Sequence, residues 1–244
     1  MTDHTVTLTQ AERLRVSHNI RPRDAATMLI LDRSGPKPRV LMGKRHAGHK
    51  FMPGKYVFPG GRVDPGDRRM AATGTLAQIC EDRLSARTVR PTPSRARALA
   101  LAAIRETFEE TGLLFGSAEF GAPETPPAGT WTDFAGHGIF PDLGALTFVA
   151  RAITPPRRPK RFDTRFFTID SAAVAARVDD IVGPDSELVD LVWVDFDEAR
   201  ELDLPTITKV IIQEVEARIA GGFAPYLPVP FYWEKNGQFV REQL

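Results

Sequence analysis

Cysteine is almost absent from this 244-residue chain, where Cys80 stands alone. A single thiol excludes an intramolecular disulfide framework and a cysteine-rich zinc site. It fits a reducing compartment, so a cytoplasmic location is expected, with Cys80 as a small apolar filler. Net charge is nearly absent too: 32 Lys and Arg face 31 Asp and Glu. That balance removes any global reason to expect a nucleic-acid or membrane-surface partner and makes every charge argument local. Long apolar runs are also missing. Stretches such as residues 25–31 fall far short of the roughly 20 residues that cross a bilayer. Residues 1–19 alternate polar and charged side chains and lack the apolar centre of a secretory signal, so no export is expected. No internal repeat is visible.

What is present suffices for one packed core, since 42% of the residues are hydrophobic. Residues 21–221 are read as the domain, flanked by extensions at 1–20 and 222–244. The apolar stretch 25–31, bounded by Arg-Pro-Arg-Asp and Asp-Arg-Ser-Gly-Pro, reads as a buried strand, with 39–43 as its partner. Residues 55–58 form a short strand ending at Pro59-Gly60-Gly61, a bend that glycine makes sterically easy. Residues 68–97, with a short helix near 76–84 and a Pro-rich tail, read as an insertion. Ser94 is expected to cap a strong helix that reaches Thr111 and is stopped by Gly112. Strands are expected at 145–150, 165–169 and 191–194, a second helix opened by Pro205, and a hairpin around Lys235-Asn236-Gly237.

The chemistry concentrates on the first long helix. Glu106, Glu109 and Glu110 stand at i, i+3 and i+4 and so share a face, while Leu101, Ile104 and Phe108 form an apolar ridge on the other. Three crowded carboxylates raise one another's pKa and cost stability unless a cation neutralises them. A hard divalent ion with oxygen ligands does so, and Mg²⁺ suits an open cluster that leaves room for water and phosphate. A solvated acidic face is the plain alternative.

Arg105-Glu106-Thr107-Phe108-Glu109-Glu110-Thr111-Gly112-Leu113 resembles the second half of the Nudix signature, G-x5-E-x7-R-E-U-x-E-E-x-G-U with U aliphatic. Gly61 to Asp67, led in by Phe58-Pro59-Gly60, resembles the first half. Asp67 stands where the family usually has Glu, and 37 residues separate it from Arg105 where the usual box has seven. Such a split box is similar to the branch that includes coenzyme A diphosphatases. The resemblance implies an α/β fold: an α/β/α sandwich with a mixed sheet and residues 68–97 extruded beside the site. It implies Mg²⁺, with Mn²⁺ as the alternative, held by Glu106, Glu109, Glu110 and the Gly60 carbonyl. Arg105 would orient the carboxylates and Asp67 would tie the split loop. Glu187, before a late strand, would be a further catalytic acid, with Asp190 in reserve. Arg45, Gly61 and Arg62 are the candidates for substrate contacts.

The implied activity is hydrolysis of a diphosphate linkage in a small nucleoside diphosphate derivative. Coenzyme A or acyl-CoA comes first, because residues 54–64 resemble the right half of a coenzyme A motif. ADP-ribose, NADH and other nucleotide diphosphates are the alternatives. Seven arginines between residues 68 and 100, with Arg157, Arg158, Lys160, Arg161 and Arg165, are available to neutralise an additional phosphate. Two rival classes are a non-catalytic nucleotide sensor, disfavoured by the intact carboxylates, and an isoprenoid diphosphate isomerase, disfavoured because Cys80 lies in the insertion. His46 and His49 flank the expected entrance as loop residues. Trp131 and Trp233 are candidates to stack on a base, and Trp193 is expected in the core. The segment from Gly222 is expected to wrap its own domain or to meet a second copy in a homodimer.

Overall fold

The computed structural model describes residues 4–11, 15–48 and 52–244; His49 lies outside the described residues. A short helix α1 (Thr5–Gln10) precedes strands β1 (Arg23–Asp32), β2 (Arg39–Arg45), β3 (Tyr56–Val57) and β4 (Gly60–Arg62). Two helices follow, α2 (Gln78–Ser85) and α3 (Pro93–Thr111). Next come β5 (Leu113–Ser117), α4 (Thr130–Gly136), β6 (Phe140–Pro141), β7 (Thr147–Ile153), β8 (Phe162–Asp170), β9 (Val174–Arg177) and β10 (Leu188–Asp195). The last elements are α5 (Phe196–Glu201), α6 (Thr206–Ala220), β11 (Pro230–Lys235) and β12 (Gln238–Gln243). Among the described residues no helix is long and apolar enough to cross a membrane.

One mixed sheet organises the chain in the order β10-β2-β1-β8-β7-β11-β12, with β3 added to β2 and β4 to β1. Its centre is β1, parallel to β8 and antiparallel to β2 and β4. The pairing with β2 runs through Leu31 and Asp32, and that with β4 through Ala25 to Thr27. One edge of β1 is therefore shared by two partners, and the Gly60-Gly61 bend sits where they part. Alternate residues of β1 face opposite cores. Ala26, Met28 and Ile30 pack with Leu101, Ile104 and Phe108 of α3, whereas Leu29 and Leu31 pack with Val210, Ile211 and Val215 of α6. Burial on both faces is why residues 25–31 read as an apolar run interrupted only by Thr27. The result is a helix-sheet-helix sandwich, as expected, with a small sheet β6-β5-β9 alongside.

Several local expectations change. Thr92, not Ser94, caps α3: its hydroxyl accepts the Arg95 N–H at 3.1 Å. Pro93 then occupies the first turn, where a missing N–H costs nothing. Pro205 is the residue before α6 rather than its first. Residues 68–97 are not extruded, because Met70, Leu76, Cys80 and Leu84 are buried in the α3 core, and the segment's last five residues already belong to α3. The segment after Gly222 packs on its own domain. It supplies β11 and β12, which extend the main sheet from β7, while the Thr9 hydroxyl following α1's first turn accepts the Phe239 N–H at 2.9 Å. Asn236 and Gly237 make that hairpin's turn with φ of 51° and 83°.

Candidate active site

The site is built from α3 upward. Ala98, Ala100, Ala102 and Ala103 are completely buried and leave room for the helix to lie close to β1 and β4. Gly112 ends it at φ 74°, with its N–H on the Phe108 carbonyl at 2.9 Å. A Cβ there would also meet the Val178 carbonyl oxygen at 2.1 Å. Packing on nearly every side means that polar groups in the last two turns are buried too, Arg105 and Glu110 among them. Of the three carboxylates on the acidic face, Glu110 is buried, Glu106 half-buried and Glu109 exposed.

Glu106 and Glu110, one turn apart, lie against the glycine bend. The Gly60 N–H donates to Glu110 Oε2 at 3.0 Å. Gly61 leaves the space that the Glu106 carboxylate fills, since a Cβ on Gly61 would stand 2.4 Å from its Cδ. Burial is the main cause that pushes Glu106 up to about 7; the Arg105 charge opposes it and the Glu109 charge adds to it. Glu110 is raised well above the ordinary range, first by burial, then by the charges of Glu187 and Glu106, against the Gly60 N–H and Arg45. Both carboxylates are in surroundings that disfavour their charge.

Arg105 is the hub beside them. Its Nε and Nη2 donate to the two Asp67 oxygens at 2.8 and 3.1 Å, its Nη2 also to the Arg62 carbonyl at 2.9 Å, and its Nη1 to both Glu109 oxygens at 3.0 Å. Glu106 lies 3.0 Å from Nη2. Asp67, fully buried, also accepts from the Trp131 indole at 2.9 Å and the Asp64 N–H at 2.8 Å. The aspartate therefore ties the two halves of the split box together. Burial would lower the Arg105 pKa, but Asp67, Glu106 and Glu109 outweigh it and raise it.

Glu109 does not join the other two carboxylates. Arg105, four residues earlier, takes both its oxygens, and the Thr130 hydroxyl donates to Oε1. Sequence reasoning missed Thr130 and Trp131 as members of this network, for they lie on α4 in a region without a motif. Glu187 stands just before β10 with its carboxylate 2.8 Å from Arg45 and its carbonyl accepting the His46 N–H at 3.1 Å. It is close enough for its charge to act strongly on Glu110. Asp190 lies within β10, paired with Lys44. Gly60 meets the helix through its N–H, and Arg62 pairs with Asp64 at 3.1 Å on the exposed side.

The donor set fits a hard divalent cation in kind: oxygen ligands only, two of them desolvated and pushed toward protonation by neighbouring negative charge. Among the described residues no three acidic, histidine or cysteine side chains already converge into a metal-holding group. Glu106 and Glu109 both meet Arg105, Glu187 meets Arg45, and Glu110 accepts the Gly60 N–H.

Six of the basic residues named for an additional phosphate, Arg83, Arg87, Arg95, Arg97, Arg161 and Arg165, have partners within the chain. Arg95 and Arg165 clamp Asp24, Arg151 and Arg165 clamp Asp163, Arg87 pairs with Glu242, and Arg83, Arg97 and Arg161 donate to backbone carbonyls. Arg87 and Arg95 thereby tie residues 68–97 to β12 and β1. The tryptophans differ as well. Trp131 is buried under α3, Trp193 is 37% exposed on β10 rather than in the core, and Trp233 stacks on Phe231 and donates to Glu242.

No family model matches the chain. A solved Nudix hydrolase from Alicyclobacillus acidocaldarius is 28% identical, superposes with a TM-score of 0.61, and the match covers 83% of this chain and 96% of that one. The fold is that of a Nudix hydrolase enzyme. Two weaker matches are the Nudix domain of NrtR from Shewanella oneidensis, complexed with ADP ribose, and an Ap4A hydrolase from C. elegans. The first is 13% identical at TM-score 0.45, covering 90% of this chain and 99% of that one; the second is 16% identical at 0.41, covering 81% and 99%. In this fold Arg105 to Thr111 form the end of α3, Gly112 its cap and Leu113 the start of β5, and the Phe58-Pro59-Gly60-Gly61 segment is the bend against the helix.

Proposed function

We propose that this chain hydrolyses a diphosphate linkage in a nucleoside diphosphate derivative, with Mg²⁺ or Mn²⁺ as cofactor and coenzyme A or acyl-CoA as first candidates. The observation that carries the reading is the pairing of Glu106 and Glu110 against Gly61 and Gly60. A buried and a half-buried carboxylate so placed cost stability on their own, which is accounted for if they serve a cation and a phosphate group. The partial coenzyme A motif in residues 54–64 supports the choice of substrate.

Glu106, Glu110 and the Gly60 carbonyl are the groups to hold the ion, joined by Glu109 if Arg105 and Thr130 release it. When bound, the ion lowers the pKa of a water and neutralises charge on the diphosphate. The chain's own residues then position. Asp67 and Arg105 fix the end of α3 relative to the bend, Arg45 and Arg62 offer charge to the phosphates, and Glu187 or one of the helix carboxylates accepts the water's proton.

The test is incubation of the purified chain with coenzyme A, acyl-CoA, ADP-ribose, NADH, dinucleoside polyphosphates and oxidised dNTPs, with Mg²⁺ or with EDTA. Metal-dependent release of a mononucleotide from at least one of them is expected, with coenzyme A compounds foremost. No turnover of any compound rejects the hydrolase reading; coenzyme A among the poorest substrates rejects the preference.

A further inference from the structure

Helix α4 meets both halves of the split box, and its first two residues reach one half each. The Thr130 hydroxyl donates to Glu109 Oε1 on α3, and the Trp131 indole donates to Asp67 at 2.9 Å, in the loop that follows the glycine bend. Packing fixes the helix from its buried side. Trp131 and Phe134, both almost fully buried, meet edge to face at 5.4 Å, and Phe134 meets Phe108 of α3 in the same way at 5.5 Å. Gly66 lies against Trp131, where a Cβ would stand 3.3 Å from Cδ1. Thr130 is half-buried at the start of α4 and faces Glu109 with its hydroxyl.

Glu109 has the most accessible of the three helix carboxylates: its side chain is 33% exposed, against 13% for Glu106, and Glu110 is buried. An ionised carboxylate offers about four lone-pair positions. On Glu109, Arg105 Nη1 takes one on each oxygen and Thr130 takes another on Oε1. These two donors are committed to different degrees. Arg105 is buried, and its Nε and Nη2 are fixed on the fully buried Asp67, so its position is set by the closure of the box. The Thr130 hydroxyl turns about one bond and is near enough to solvent to donate to water instead. Arg105 also lies 3.0 Å from Glu106, so a shift of Glu109 toward Glu106 stays within reach of the guanidinium. The contact that such a shift must break is the one to Thr130.

We propose that Thr130 is a positioning residue: its hydroxyl holds Glu109 on the α4 side, apart from Glu106 and Glu110, and its release lets Glu109 join them around a divalent cation. The inference rests on the hydrolase reading and deepens it, by naming the group that sets the site's affinity for the ion. Thr130 acts through Glu109 alone. A hydrogen bond to a charged acceptor shifts an equilibrium by roughly tenfold, so holding Glu109 aside weakens cation binding by about that factor.

The experiment measures Mn²⁺ binding to the full chain without substrate, by calorimetry and by the electron paramagnetic resonance signal of the free ion. Thr130→Val keeps the shape and removes the donor; it should bind Mn²⁺ about tenfold more tightly than wild type. Thr130→Ser keeps the hydroxyl and should return to the wild-type affinity. In a Glu109→Ala background the Thr130→Val change should have no effect on Mn²⁺ affinity, because the group it releases is gone. Thr130→Ala guards against a folding defect peculiar to valine and should tighten binding as Thr130→Val does. A purely structural role for Thr130 would lower the melting temperature without tightening Mn²⁺ binding. Mn²⁺ binding that both Thr130→Val and Thr130→Ala leave unchanged or weaken, or an equal gain in the Glu109→Ala background, overturns this inference alone. Wild type that neither binds Mn²⁺ nor hydrolyses any nucleotide overturns the hydrolase reading and this inference with it.

Discussion

Gly61 and Glu106 occupy one space: a Cβ on the glycine would lie 2.5 Å from each oxygen of the glutamate carboxylate. The obstacle is the end of a flexible side chain, so Gly61→Ala should fold and displace Glu106 from the bend. The expected result is a melting temperature within a few degrees of wild type and a kcat lowered by about 10²-fold, since small misplacements at a reacting site carry that cost. Gly60→Ala should differ, because its Cβ would meet the Ala26 carbonyl oxygen at 2.5 Å and Thr27 Cα at 2.6 Å. Backbone cannot move aside so readily, and a loss of about 2–3 kcal/mol is expected in urea unfolding. Equal stability of the two variants would contradict this geometry.

Neutralising Glu110 should separate stability from activity. The carboxylate is buried, and burial together with the charges of Glu187 and Glu106 raises its pKa. Glu110→Gln removes that charge while its amide oxygen can still accept the Gly60 N–H. Without metal the variant should melt no lower than wild type, and with substrate and Mg²⁺ its kcat should fall by about 10²-fold or more. Mg²⁺ should also raise the melting temperature of wild type more than that of the variant. Wild-type turnover by Glu110→Gln would remove the residue from the site.

Asp67→Ala should be among the most damaging single changes. It leaves the buried Arg105 guanidinium without its two shortest Asp67 contacts and strands the Trp131 indole N–H. Breaking a buried pair from one side costs about 3–5 kcal/mol. Equilibrium unfolding should show that loss, and a change below about 1 kcal/mol would mean that the split box is closed by other contacts.

The acid limb of stability should carry the signature of Asp24. Burial alone would raise this carboxyl, but hydrogen bonds and charges from Arg95 and Arg165 prevail and hold it below the ordinary aspartate value. A depressed folded pKa contributes stability above the unfolded value, about 3.9, and the contribution is lost as pH falls through the lower folded value. Asp24→Asn should therefore be less stable than wild type at pH 7, with the gap narrowing below about pH 4. A gap independent of pH would show that the clamp acts by packing rather than charge.

The split box shows how far local sequence reaches. Arg105, Glu106 and Glu110 were legible because helical spacing fixes which side chains share a face, and the Gly60-Gly61 bend was legible because few other residues allow it. The apolar alternation of β1 and the Asn236-Gly237 turn were equally local. That Asp67 ties the split loop was implied by its motif position, while its partner Arg105 is set by the fold.

Other assignments depended on contacts that no periodicity records. Glu109 shares the spacing of its neighbours, yet Arg105 and Thr130 draw it aside. Trp131 had the composition of a stacking residue and became a buried hydrogen-bond donor to Asp67. Arg83, Arg87, Arg95 and Arg97 had the composition of a phosphate patch and instead hold Asp24, Glu242 and backbone carbonyls. Sequence by itself determined the elements, the chemical types and the helix that brings two carboxylates together, because these follow from backbone sterics and from residues three or four apart. Only the tertiary structure decided which charges remain for a ligand, since a side chain's partner is chosen by what the fold places beside it, over separations that local geometry does not constrain.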